Sequence, residues 1–427
     1  MYVTINRHQL LSNFFSLGTV QAISSLVQLI VIPHVISSIG VAGYGVVAVA
    51  QVVMFYLAAI TDYSFNQTAT RDISVNRAEP GIVSAIFSRV LFSRLILCAI
   101  AFIVLLLLIG IIPFFRSNLL LYLMAFSFVI GHAALINWFF LGIERMHIIA
   151  VVTLIARFIF AVLVFMFIRD SGDGYLFLFF LGLGNMVAAL ISLVIVFRTY
   201  SLCLKWPGVS GIVSELKEGW QVTISHLSNS TCHYANIFIL RIFSADLLVG
   251  YYAIAERIFF TIRQVFVVFS QAVYPRLCQA LEQGRSGAVS FLIKPYSLFL
   301  MVVIPGAILL FIFCPYVLYF FMGNEYPHAV IYMRIFCFIA VIVCLNIPGT
   351  LLMFAANQKT EYLRVYLLAT VLNITLNLVL AGYYHAYGTL MAIFITEAFI
   401  TIAVTYFAGR IQVKPRKTPG HQGSIGF

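Results

Sequence analysis

Residues 90–112 read VLFSRLILCAIAFIVLLLLIGII and carry one charge, Arg94. About 20 mostly apolar residues cross the roughly 30 Å hydrocarbon layer of a bilayer, so the stretch reads as a transmembrane helix. Its surroundings are of the same kind: the 427-residue chain is 63% hydrophobic and 9% charged, with a mean hydropathy of +1.05. Soluble domains run nearer about one half apolar and about one quarter charged, which excludes a soluble globule.

Breaks at Pro, Gly and charge set further spans near 11–33, 41–61, 119–141, 148–168 and 175–197, which with 90–112 make six. After the more polar Arg198–Gly219, six more follow near 220–243, 247–273, 295–318, 331–354, 363–383 and 389–409. Met1–Gln9 is polar and lightly basic, and the first span lacks a small-residue cleavage site, so that span is expected to be retained. Of the 25 Lys and Arg residues, seventeen fall in the even-numbered connections and termini, three (Arg116, Arg169, Arg241) in the odd connections and five within spans. Cytoplasmic loops carry such an excess, so both termini are expected to be cytoplasmic. The net charge of +11 is therefore a topology signal, not a nucleic-acid footprint. Seven cysteines without a CxxC pair read as small hydrophobes and not as a metal site.

The chain carries an internal repeat. Gln21, Ser25 and Gln28 share one face of the first span, and an offset of 208 residues gives Asn229, His233 and Asn236 in the seventh. Gly43-Tyr44-Gly45 has a counterpart 207 residues on in Gly250-Tyr251-Tyr252. Spans one to six and seven to twelve thus read as parallel copies, an arrangement in which transporters place substrate between the repeats. In the seventh span His226, Asn229, His233 and Asn236 stack on one face, either toward a water-filled lumen or in hydrogen bonds between helices. Tyr366, Thr370, Asn373 and Asn377 form a similar line in the eleventh.

A charge at a helix centre costs about 2.5 to 3.5 kcal/mol even on the lenient insertion scale, so each demands an explanation. Arg157 lies mid-span in the fifth, Glu256, Arg257 and Arg263 along the eighth, Glu397 in the twelfth, and Asp62 closes the second. Glu256 and Arg263, seven apart, point the same way, while Arg257 is turned by about 100°. Two explanations stand: internal ion pairs, such as Glu256 with a nearby Arg, or a cationic cavity. Guanidinium stays charged and donates bidentately, so a cavity of arginines suits phosphate. Arg94 and Arg334, near span ends, are expected to snorkel to the interface.

The sequence contains no GxxxxGK[ST] phosphate loop, HExxH or GxSxG, and its longest connections are too short for a folded catalytic domain. An enzyme is not expected.

Ile32-Pro33, Ile39-Gly40, Gly43-Tyr44-Gly45, Asp62-Tyr63-Ser64-Phe65 with Arg71, and the run Trp138 to Met146 occur in order in the first half. Gly250-Tyr251-Tyr252, Tyr274-Pro275, Ala355-Ala356-Asn357-Gln358, Asn373, Asn377, Tyr387-Gly388 and Glu397 follow in the second. With these residues the chain resembles the O-antigen repeat-unit flippases, a branch of the multidrug/oligosaccharidyl-lipid/polysaccharide exporter superfamily. Ser64 stands where that family often reads Gly, and Leu141 where Gln is common.

The resemblance implies an all-α polytopic protein whose roughly twelve transmembrane helices form two pseudo-symmetric six-helix bundles around a central cavity, rocking between inward-open and outward-open states. The expected division is 1–200 and 220–410 as lobes, 201–219 as a cytoplasmic linker and 411–427 as a basic cytoplasmic tail. The implied cargo is an undecaprenyl-diphosphate-linked O-antigen repeat unit, moved across the bacterial inner membrane with H+ or Na+ as a coupling cation and no other cofactor. Candidate substrate-binding residues are Arg157, Arg257, Arg263, Asn229, His233, Asn236, Gln21 and Gln28, and candidate coupling residues are Asp62, Glu256 and Glu397. Expected partners are the lipid-linked oligosaccharide, membrane lipid, an O-antigen polymerase and a chain-length regulator, and no nucleic acid. A drug or toxin exporter of the same superfamily is the near alternative, disfavoured by the arginines because its usual cargo is cationic. A membrane polymerase or glycosyltransferase is the more distant one, disfavoured by the lack of a long external loop.

Overall fold

The computed structural model describes the backbone of residues 7–411 apart from Ser64, Ser201, Gln283, Glu325 and Asn357. Within its helices the side chains of 7–22, 218, 221–222, 225–226, 228–230, 232–233, 271, 275, 279, 282 and 359 lie outside the description. Among the described residues the chain forms thirteen helices and no strand. The first half holds α1 (Arg7–Asp62), α2 (Phe65–Asn76), α3 (Pro80–Ile111), α4 (Pro113–Ser117), α5 (Leu119–Ala134), α6 (Asn137–Gly142), α7 (Met146–Phe167) and α8 (Gly174–Thr199). The second holds α9 (Gly208–Phe243), α10 (Asp246–Glu282), α11 (Arg285–Met322), α12 (Pro327–Ala355) and α13 (Lys359–Gly409).

Eight described helical segments are long and apolar enough to cross a membrane. Two of them, Ile23–Asn76 and Thr360–Gly409, are long enough for two crossings each at about 1.5 Å per residue. Each is broken. Gly40 takes φ 74° and ψ 165°, a left-handed geometry that glycine adopts without a Cβ clash. His385 takes φ 50° and ψ −127°, its Nδ1 2.8 Å from the Phe243 carbonyl oxygen. The arms of α13 run back along each other, since the Thr389 hydroxyl donates to Asn377 Oδ1 at 2.9 Å and Asn373 to the Thr396 hydroxyl at 3.4 Å. α9 and α10, of 36 and 37 residues, also have the length to cross but carry the polar and charged side chains of the interior.

The two halves meet chiefly where α1 packs on α10, with α9 also touching α1 and α3. Gly45 of the first Gly-Tyr motif lies against Gly250 of its repeat counterpart, close to both helix breaks. At the same end the Arg241 guanidinium, 2.7 Å from Asp246, covers the Phe114 ring at 4.3 Å.

Two local expectations change. The fourth span is not continuous: it breaks at Leu135-Ile136 into α5 and α6. Arg94 does not snorkel, since it is 1% exposed and donates to the His132 and Leu135 carbonyl oxygens at 3.0 and 2.6 Å and to Asp62 at 3.0 Å. The corrections have one cause: a break frees helix carbonyls that lipid cannot satisfy, and a buried guanidinium satisfies them. The expected linker 201–219 is helical from Gly208, which opens α9 at φ +70°, and Glu215 on that extension pairs with Arg89 of α3 at 3.2 Å.

Candidate functional site

A cavity of about 450 Å³ lies between the halves. α1 supplies Ser25, Gln28 and Phe55, α9 supplies Tyr234, and α10 supplies Arg257, Phe260, Thr261, Arg263, Gln264 and Val267. Along α10 the positions 257, 260, 261, 264 and 267 recur at intervals of three and four, so one helix face forms a wall. Aromatic rings bridge the halves: Phe55 stands 5.3 Å from Tyr234, and Tyr234 stands 6.1 Å from Phe260, between ring centroids. Arg257 reaches across and donates through Nη2 to Gln28 Oε1. Two residues expected in a substrate site from opposite halves are thus hydrogen-bonded to each other.

Behind the other face of α10 is a second, much smaller pocket of about 20 Å³, roughly the room one water needs. Its lining belongs to the second half alone and includes Asn236, Glu256, Arg263, Asn373, Thr396 and Glu397. The heptad separation of Glu256 and Arg263 brings both here, and the turn between Glu256 and Arg257 sends Arg257 to the main cavity. Glu256 accepts a hydrogen bond from the Tyr252 hydroxyl at 2.8 Å, one helical turn away. Arg263 stands 3.9 Å from Glu397 Oε1, and Asn346 donates to Glu397 Oε2 at 3.4 Å. The ion pair expected for Glu256 is therefore made by Glu397. Arg263 and Phe260 line both spaces.

The other candidates are spread. Asn236, 3% exposed, borders the small pocket and accepts from Asn377 at 2.9 Å, so these two members of the polar lines of the seventh and eleventh spans meet at this point. Asp62 is not in either pocket: it is held by Arg94 and by Asn66 at 2.9 Å. Arg157 lines neither described cavity, and its Nε and Nη1 are buried with no hydrogen-bond partner among the described residues. Gln21, Asn229 and His233 lie outside the described side chains. The sequence reading passed over Phe55, Tyr234 and Phe260, whose rings carry no signal distinguishing a cavity wall from membrane filling. Tyr252 was legible as the residue one turn before Glu256.

A family model described as polysaccharide biosynthesis protein matches residues 10–281, which span α1 to α10 and so almost the whole wall of the main cavity. The chain belongs to that family. Two curated relatives of this polysaccharide biosynthesis protein bear the name "Putative O-antigen transporter". The one from Escherichia coli (strain K12) is 25% identical over 94% of this chain and 97% of its own length. The one from Shigella dysenteriae is 24% identical over 91% and 98%. Among solved structures, an inward-facing multidrug resistance MATE family transporter of the MOP superfamily aligns with a TM-score of 0.70 at 14% identity, covering 90% of this chain and 94% of that one. The outward-facing conformation of such a transporter aligns with a TM-score of 0.64 at 16% identity over 93% and 94%. This member of the polysaccharide biosynthesis protein family is thus a multi-pass membrane protein that shares the fold of those MATE family transporters.

Proposed function

We propose that the chain moves an undecaprenyl-diphosphate-linked O-antigen repeat unit from the cytoplasmic to the periplasmic leaflet of the bacterial inner membrane by alternating access. The observation that carries this reading is the pair Arg257 and Arg263 on the wall of a cavity shared by both halves, with Gln28 opposite. An oligosaccharide needs surfaces with polar rims and apolar faces, and Phe55, Tyr234 and Phe260 supply them. A diphosphate needs donors that stay charged out of bulk water, and two guanidinium groups supply those. A drug exporter built for cations would place carboxylates on this wall, whereas Glu256 and Glu397 line the smaller pocket behind it. We assign those two to cation coupling and leave Asp62 out.

By the charge bias of the loops, the end bearing Gly40, Ser244 and His385 is periplasmic and both termini are cytoplasmic. The contacts of Gly45 with Gly250 and of Arg241 with Phe114 then close the periplasmic side in this conformer. At about 450 Å³ the cavity suits a ligand of drug size, so a whole repeat unit requires further opening toward the cytoplasm. An O-antigen polymerase and a chain-length regulator are the proposed downstream partners.

The test is deletion of the gene in a strain that builds the repeat unit. Surface O-antigen should disappear, lipid-linked repeat units should accumulate in the cytoplasmic leaflet, and expression of the chain should reverse both. Unchanged surface O-antigen together with altered drug sensitivity would favour the drug-exporter alternative.

A further inference from the structure

Arg263 is placed between two demands. Its guanidinium borders the main cavity, and in the small pocket it stands 3.9 Å from Glu397, too far for a direct hydrogen bond and near enough for an ion pair. Glu256 shares that pocket. Three ionisable groups therefore line a space with room for about one water, and the cation on that lining, Arg263, stands beside two carboxylates.

We infer that Arg263 is exchanged between Glu397 and the anionic group of the cargo, so that cargo binding in the main cavity is accompanied by uptake of a proton at Glu397. The inference rests on the transport function proposed above and specifies how the ion and the cargo are linked. When a diphosphate draws the guanidinium toward the main cavity, Glu397 loses its counter-charge while still 4% exposed. An uncompensated carboxylate beside a second one is strongly disfavoured, and the least costly relief is protonation. Among the described residues, the groups facing Glu397 do not replace the lost charge: α10 brings Arg263 and Glu256, α12 brings Asn346, α9 brings Asn236 and the first arm of α13 brings Tyr366. Glu256 already accepts the Tyr252 hydroxyl, which leaves Glu397 as the carboxylate whose surroundings change.

The linkage has a definite sign. Anion and proton assist each other's binding, the reverse of a site where cation and cargo compete for one carboxylate, and by reciprocity low pH must tighten cargo binding to the same degree that cargo promotes protonation.

The experiment is calorimetric titration of the full-length chain in nanodiscs with farnesyl diphosphate, in two buffers of different ionisation enthalpy, repeated across pH. Over the pH range in which Glu397 is ionised without cargo and protonated with it, wild type should take up about one proton more per bound probe than Glu397→Gln does, and its affinity should fall up to about tenfold per pH unit. Protonation of the probe itself is common to both proteins and cancels in the difference. Glu397→Gln should bind with a flatter pH profile, Glu256→Gln should retain the uptake, and Arg263→Ala should lose both affinity and uptake. Equal uptake in wild type and Glu397→Gln, loss of uptake in Glu256→Gln instead, or affinity governed by sodium and not by pH overturns the exchange. If a variant does not fold, wild type is read at a pH above the last ionisation of the probe, where the probe releases no proton on binding and an absence of net proton uptake contradicts the linkage. A probe that does not bind wild type at all contradicts the anionic-cargo reading beneath it, and so separates the two failures.

Discussion

Gly45 and Gly250, one from each half, meet backbone to backbone: a Cβ at Gly45 would stand 2.8 Å from the Gly250 nitrogen and 2.3 Å from the Asp246 oxygen. A Cβ at Gly250 would stand 2.1 Å from the Val41 oxygen. Only hydrogen fits on either side. Overpacking of this kind costs about 1 to 3 kcal/mol, and if the contact exists in the conformer closed at this end alone, that conformer should lose roughly 5- to 150-fold in population. Gly45→Ala and Gly250→Ala should therefore raise labelling, by a membrane-impermeant thiol reagent, of a cysteine introduced at Tyr44. Unchanged labelling in both variants would show that the seal tolerates the methyl group.

Arg94 and Asp62 form an ion pair at 3.0 Å, and we propose that it is structural. Arg94→Ala leaves the Asp62 carboxylate without its counter-charge, though still held by Asn66, and takes the guanidinium donor from the carbonyl oxygens of His132 and Leu135, a loss of about 3 to 5 kcal/mol for a buried pair. Abundance and thermal stability in detergent should fall sharply. Asp62→Asn should be milder, because the two carbonyls keep their guanidinium, and transport per molecule should stay near normal. A folded, abundant Asp62→Asn protein without transport would restore Asp62 to the coupling machinery.

Asn236 and Asn377 hold the first arm of α13 to α9. Hydrogen bonds between membrane helices average about 0.6 kcal/mol and reach about 1.7, so a double-mutant cycle with Ala at both positions should give a coupling in that range. A coupling of zero in thermal unfolding would mean the contact contributes nothing beyond packing.

Arg157 buries Nε and Nη1 without a described partner, which is costly for stability. Arg157→Met keeps the volume and removes the charge. Membrane abundance should hold or rise, while transport should fall if the residue serves the anion's path through the first half. Full transport by an abundant Arg157→Met protein would remove it from the site.

The fold was legible because lipid leaves so few choices. Long apolar runs declare helices, and the Gly-Tyr repeat announced two copies whose motifs meet at Gly45 and Gly250. The breaks were harder. Leu135-Ile136 is an apolar pair with no Pro or Gly beside it to mark a break, and only Arg94, 41 residues away from Leu135, explains how the freed carbonyls are satisfied. Helical geometry alone turned Arg257 away from Glu256 and Arg263, but the second space behind α10, and the place of Arg263 on both, were not legible. Partner choice was not legible, since Glu397 reaches Arg263 from 134 residues on and no local spacing reports that.

Surface O-antigen, measured beside membrane abundance for Arg257 and Arg263 variants, tests the central claim most directly. If the two guanidinium groups bind a diphosphate, Ala at either position should abolish O-antigen display from a protein that still inserts, and Lys, which keeps charge but loses the bidentate fork, should retain part of it. Normal display from both Ala variants, or recovery of Arg263→Ala by Glu397→Gln, would show that the arginines serve ion pairs and would contradict the anionic cavity.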